Sequence, residues 1–101
     1  MTRIAVVGGG RIGEALIAGL REAGTPASDI VVIEAVQARA DELAKRYNIL
    51  STGLDIGCEG ADVIVVAVKP NDVPAVVDRI GDAISDSVHE SIVVSLAAGV
   101  P

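Results

Sequence analysis

Apolar residues along the chain fall into two alternating patterns: short unbroken runs, and longer stretches of helical period. Ile4-Ala5-Val6-Val7, Ile30-Val31-Val32-Ile33, Val63 to Val68 and Ser91-Ile92-Val93-Val94-Ser95 are runs dominated by β-branched residues, and each predicts a strand. Ile49-Leu50 is a candidate short third strand. Between the runs, Ile12, Ala15, Leu16 and Leu20 recur at three- and four-residue spacing, up to a stop at Ala23-Gly24 with Pro26 just beyond. A second helix is predicted from Gln37 to Tyr47, with Ala40, Leu43, Ala44 and Tyr47 on one face. A third follows Lys69-Pro70, with Asn71 or Asp72 as its cap and Pro74 in its first turn; Val73, Val76, Val77, Ile80 and Ile84 supply its buried face. From Thr52 to Gly60 three glycines break the pattern, and a loop or one frayed helical turn is expected.

Strand and helix thus alternate over five strands, the order of an α/β protein with a parallel sheet. Right-handed crossovers place the first strand centrally, between the second and the fourth, so the expected sheet is doubly wound in the order 3-2-1-4-5. The 101 residues make one domain, 1–101, since a second would be too short to bury a core. In such sheets ligands sit at the carboxyl ends of the strands, where the order reverses. That rule points to Gly8, Glu34, Ala67 to Pro70, and Ser95 to Gly99.

Gly8-Gly9-Gly10-Arg11-Ile12-Gly13 closes the first strand and opens the first helix, the context that turns a G-x-G-x-x-G pattern into a Rossmann-type dinucleotide turn. Gly8 permits the sharp exit from the strand. Gly10, lacking a Cβ, admits a pyrophosphate to the backbone, and Gly13 lets the helix pack closely on the strand. The helix N-terminus offers free N–H groups and a positive dipole end. Glu34 lies 34 − 13 = 21 residues after the last glycine, where a carboxylate accepts hydrogen bonds from an adenosine ribose. Its charge repels a 2′-phosphate and so favours NAD over NADP, while Arg39, five residues on, pulls the other way.

Composition narrows the choice. Half of the residues are hydrophobic but the only aromatic is one Tyr, so the core is aliphatic and no platform exists for stacking bases. The net charge of −6, with no Lys/Arg cluster, argues against nucleic acid as a partner and requires any pyrophosphate to be held locally. Single Cys58 and single His89 exclude an internal disulfide and a cysteine or histidine metal cage; Cys58 reads as a structural thiol and His89 as part of the loop before the last strand. The N-terminus is too short for a signal peptide and no run approaches a membrane span, so a cytoplasmic protein is expected.

With these motifs assembled, the chain resembles the N-terminal domain of the pyrroline-5-carboxylate reductase family. Three segments carry the likeness: Val7 to Leu16 with Gly19-Leu20 and Ala23-Gly24; Ala61-Asp62-Val63 leading into Ala67-Val68-Lys69-Pro70; and Val93 to Val100, with its Ala97-Ala98-Gly99 turn. The resemblance implies a reductase that passes hydride from NAD(P)H to the ring imine of 1-pyrroline-5-carboxylate, giving L-proline. It implies pyrophosphate contacts at Val7, Gly8, Gly9, Gly10, Arg11 and Ile12, and ribose contacts at Glu34 and Ala35. Ala67, Val68, Lys69 and Pro70, with Ala97, Ala98 and Gly99, would border the nicotinamide half. No catalytic residue is assigned, and Lys69 is expected to border cofactor or solvent. The family continues into a helical domain that forms the dimer and shapes the substrate site; Pro101 falls where that domain is expected to begin. The chain is therefore expected to be an isolated cofactor domain, inactive alone. Glu34 departs from the small hydroxyl or basic residue common in relatives that use NADPH.

Two other functions fit the glycine turn. One is a reductase passing hydride between NADP and a deazaflavin, which shares this N-terminal domain; the Val68-Lys69-Pro70 segment weighs against it. The other is a non-catalytic nucleotide-sensing module, of the kind found on potassium transport systems; the Ser95 to Val100 tail weighs against that.

Overall fold

A computed structural model describes residues 2–85 and 91–96. Five parallel strands, β1 (Ile4–Val7), β2 (Ile30–Ile33), β3 (Leu50–Ser51), β4 (Val63–Val66) and β5 (Ile92–Ser95), form one sheet in the order β3-β2-β1-β4-β5. β1 is central, with Ile4 in register with Ile30 on one side and with Val63 on the other. The expected strand order is the observed one. Four helices are described: α1 (Arg11–Glu22), α2 (Gln37–Tyr47), α3 (Leu54–Glu59) and α4 (Val73–Ile84).

Alternation along the strands divides the core between two layers. Val6, Ile30 and Val32 face α1 and α2, where they bury Ile17, Leu43 and Ile49. Ala5, Val7, Ile33, Ile64 and Val66 face α3 and α4, where they bury Leu54, Cys58, Ala61 and Ile80. Strands covered on both faces explain the unbroken aliphatic runs. Among the described residues no helix is long and apolar enough to cross a membrane.

Several local expectations need correction. β4 ends at Val66, two residues early, because the chain leaves the sheet at Ala67, whose N–H still donates to Val7 O at 2.7 Å. The segment expected to be a loop or a frayed turn contains the six-residue helix α3, fixed by the burial of Leu54, Gly57 and Cys58. On α1 the buried positions are Gly13 and Ile17, while Ile12 is exposed, because the inward face begins one residue later than the apolar spacing suggested. Val77 of α4 is also exposed, leaving Ile80 as the buried centre of that helix. Neither expected cap acts through its side chain; Pro70–Asp72 form a 3-10 turn leading into α4, with Pro74 in the first turn as expected. His89 lies outside the described residues.

Candidate functional site

The carboxyl ends of β1, β2 and β4 and the segment after β3 open into one crevice of about 610 Å³. Val7, Gly8, Gly9 and Gly10 form its floor, Ile33 to Val36 one wall, and Ala67, Val68 and Lys69 the opposite wall. Thr52, Gly53 and Leu54 close one end, and Asp72, Val76 and Arg79 of the 3-10 turn and α4 flank it.

The turn has the conformation its glycines predict. Gly8 sits at φ +110°, a region L side chains rarely adopt, and a Cβ there would lie 2.7 Å from Ala67 O. A Cβ on Gly13 would collide with Gly8 O, so the first turn of α1 rests directly on the end of β1. Gly10 differs: it lines the crevice, and a Cβ there would meet nothing within 4 Å. The first intrahelical hydrogen bond of α1 runs from Glu14 N–H to Gly10 O at 2.9 Å, which leaves the preceding N–H groups of Arg11, Ile12 and Gly13 ahead of the helical ladder. Free donors, the positive dipole end and open space at Gly10 together suit an anion.

Glu34, at the end of β2, is tied into this turn. Its Oε1 accepts the Gly9 N–H at 2.7 Å and its Oε2 accepts the Val36 N–H at 2.8 Å. The Gly9 carbonyl in turn accepts Arg39 Nε–H at 2.6 Å, so both peptide units flanking the Gly9 Cα are held. Behind it, between α1 and α2, Glu14 accepts hydrogen bonds from Arg39 Nη2 at 2.6 Å, Arg46 Nη1 at 2.5 Å and Tyr47 Oη at 2.7 Å. The Tyr47 hydroxyl, then the two guanidinium groups, hold the Glu14 carboxyl down to about 2. The same Glu14 charge pushes Tyr47 up.

Most of the residues marked from the sequence meet here: Val7, Gly8, Gly9, Gly10, Glu34, Ala35, Ala67, Val68 and Lys69 all border the crevice. Arg11 and Ile12 are exposed on the first turn of α1, Gly13 is buried beneath it, and Pro70 is exposed just beyond Lys69; these four do not border the crevice. Ala97, Ala98 and Gly99 lie outside the described residues. Ile33, Val36, Thr52, Gly53, Leu54, Asp72, Val76 and Arg79 were not foreseen. Thr52 was accessible to the strand-end rule, had it been applied to β3, and Asp72, Val76 and Arg79 form an i, i+4, i+7 stripe. Cys58 is fully buried, and burial, then Asp55, pushes its thiol up to about 11, so the thiolate is suppressed. Among the described residues no group of three or more His, Cys, Asp or Glu could hold a metal ion.

Comparison with known proteins agrees with the likeness seen in the motifs. The pyrroline-5-carboxylate reductase of Mycobacterium leprae is 44% identical over 102 residues, covering 99% of this chain and 35% of that protein. The chain therefore spans about a third of the length of the curated relatives it matches. A pyrroline-5-carboxylate reductase from Coxiella burnetii superimposes with a TM-score of 0.81 at 25% identity, over 93% of this chain and 35% of that one. A variant imine reductase from Myxococcus stipitatus in complex with NAD+ gives 0.77 at 27% identity, over 98% and 33%. With residues 3–99 matched by the family model, the chain belongs to the family described as NADP oxidoreductase coenzyme F420-dependent.

Proposed function

We propose that the chain is the NAD(P)H-binding domain, residues 1–101, of a reductase that converts the ring imine of 1-pyrroline-5-carboxylate to L-proline. The observation that carries this reading is the crevice at the strand ends. It joins the glycine turn that leads into α1, the Glu34 carboxylate and the Ala67 to Lys69 segment around one space, with the free N–H groups of α1 just beyond Gly10. The residues present fit such a coenzyme: the opening at Gly10 admits a pyrophosphate, and Glu34 keeps a second lone pair on each oxygen for ribose hydroxyls. Arg11, Ile12 and Gly13 would donate backbone N–H groups to the pyrophosphate, with Val7, Gly8 and Gly9 beneath it. Ala35 would flank the ribose, and Ala67, Val68, Lys69 and Pro70, together with Ala97, Ala98 and Gly99, would border the nicotinamide half. When bound, the coenzyme supplies the hydride; the chain's own part is to bind, orient and shield it.

The imine substrate draws support from the relatives. Both the pyrroline-5-carboxylate reductases and the Myxococcus imine reductase are named for work on a carbon–nitrogen double bond. A second reading, hydride exchange between NADP and a deazaflavin, is favoured by the family description. The Val68-Lys69-Pro70 segment and the match to the Mycobacterium relative across 99% of this chain support the first. A cytoplasmic enzyme, homo-oligomeric as the longer protein, fits this role, with the imine bound only where a further domain completes the site. Calorimetric titration tests the binding claim. NADH should bind the wild-type chain, and Gly10→Val, which adds bulk to the crevice lining where a Cβ meets nothing of the fold, should weaken it by roughly tenfold or more. Unchanged affinity in a folded Gly10→Val chain would mean that the pyrophosphate does not cross this turn.

A further inference from the structure

Arg39 stands in the first turn of α2, five residues after Glu34, yet it does not border the crevice that Glu34, Ala35 and Val36 line. All three of its nitrogens are engaged. Nε donates to Gly9 O at 2.6 Å, Nη2 to Glu14 Oε1 at 2.6 Å, and Nη1 to Glu42 Oε1 at 2.5 Å. Both acids are themselves held from α2: Arg46 reaches Glu14 at 2.5 Å and Glu42 at 3.3 Å, and Tyr47 Oη donates to Glu14 at 2.7 Å.

A basic side chain after β2 is what accommodates a 2′-phosphate in this fold class. Resting on the coenzyme site proposed above, we infer that Glu14 and Glu42 set its coenzyme selectivity by holding Arg39 against Gly9, out of reach of a phosphate on the adenosine ribose. To turn toward that phosphate, the guanidinium has to leave the orientation that its three charge-assisted hydrogen bonds, to Gly9, Glu14 and Glu42, hold in place. Glu34 adds direct repulsion of the phosphate. Three carboxylates therefore act in one direction: one repels the extra phosphate, and two withhold the arginine that would receive it. Arg39 is also a positioning residue, because it fixes the Gly9 carbonyl as Glu34 fixes the Gly9 N–H, on the other side of the same Cα.

The test is a pair of dissociation constants, for NADH and NADPH, measured on the whole chain at one ionic strength. Glu14→Gln and Glu42→Gln should each shift the ratio of the two constants toward NADPH by roughly three- to tenfold, the scale of one partly screened charge-assisted hydrogen bond. Arg39→Met should weaken both coenzymes together, and adding Glu14→Gln to Arg39→Met should leave the ratio where Arg39→Met put it. Glu42 is half exposed, so its variant tests the inference even if Glu14→Gln does not fold. The inference is overturned if NADH still binds but neither single variant moves the ratio, or if Glu14→Gln moves it equally without Arg39. Wild-type chain that binds neither dinucleotide overturns the functional reading, and this inference with it.

Discussion

Each oxygen of the Glu34 carboxylate accepts one backbone N–H, from Gly9 at 2.7 Å and from Val36 at 2.8 Å. These bonds keep the charge at the β2 end of the crevice, where the proposed coenzyme would place its ribose, while leaving further lone pairs for a ligand. Two hydrogen bonds from ribose hydroxyls to an ionised carboxylate are each worth about 1.5–3 kcal/mol, and a 2′-phosphate would replace one of them with repulsion. The chain should therefore bind NADH more tightly than NADPH, and Glu34→Ser should narrow or reverse that preference. Competition binding of the two coenzymes measures it; tighter NADPH binding by the wild-type chain would mean that Glu34 serves only the loop. The position of Glu34 was legible because its spacing from Gly13 follows from strand and crossover lengths. Its hold on the Gly9 N–H was not, because a sequence does not state which rotamer an acid adopts.

At the scale of elements, α1 meets the sheet through Gly13 and meets α2 through Glu14. A Cβ on Gly13 would strike the Gly8 carbonyl, which is backbone and cannot swing aside. Gly13→Ala should cost about 1–3 kcal/mol or more through overpacking, read as a lower urea midpoint, whereas Gly10→Ala should leave that midpoint almost unchanged. Equal midpoints for the two variants would contradict the packing described. Glu14 makes a second, pH-dependent link. Its carboxyl is held down to about 2 in the folded chain against an ordinary 4.5, so between those values the unfolded state binds more protons. The link is fully present above about 4.5 and is lost as pH falls toward 2. Glu14→Gln should flatten that part of an acid-unfolding curve followed by circular dichroism, and an unchanged curve would show that the link carries no stability. Strands and long helices were readable because burial on both sheet faces writes itself as aliphatic runs, and amphipathic packing as a period. α3 was not, since Leu54, Gly57 and Cys58 are buried by docking on Ile33 and α4 rather than marked by local propensity. The Glu14, Arg39, Arg46 and Tyr47 network was equally hidden, because it joins positions 25 to 33 residues apart that only the packing of α1 on α2 brings together.

For the whole molecule the crevice lies over the glycine turn, between the end of β2 and the end of β4. Its described lining comes from strand ends, the glycine turn, α3 and α4, with Lys69 and Arg79 as its cations and Glu34 and Asp72 as its acids. None of these has a described general-acid or general-base partner across the crevice. Sheet edge β5 leaves Ile92, Val93 and Val94 exposed at 64%, 42% and 41%, apolar area of a kind that usually marks a surface for further contact. Matched relatives are about three times as long, since the chain covers 35% of the Mycobacterium reductase. Hydride transfer needs the imine carbon held about 3–3.5 Å from the nicotinamide, and much of the rate enhancement comes from that positioning. The described lining offers an imine the Lys69 and Arg79 cations but no acid–base pair, which lets it bind the coenzyme yet leaves the imine free to sample other poses. The 101-residue chain should therefore bind NADH but oxidise it with 1-pyrroline-5-carboxylate at less than about a tenth of the rate of a full-length relative, because losing substrate positioning costs far more than one factor of ten. Steady-state absorbance of NADH, with the Mycobacterium leprae reductase run in parallel, makes the comparison. Turnover within tenfold of that enzyme would show that these residues already position the substrate, and that binding and positioning are not divided between domains.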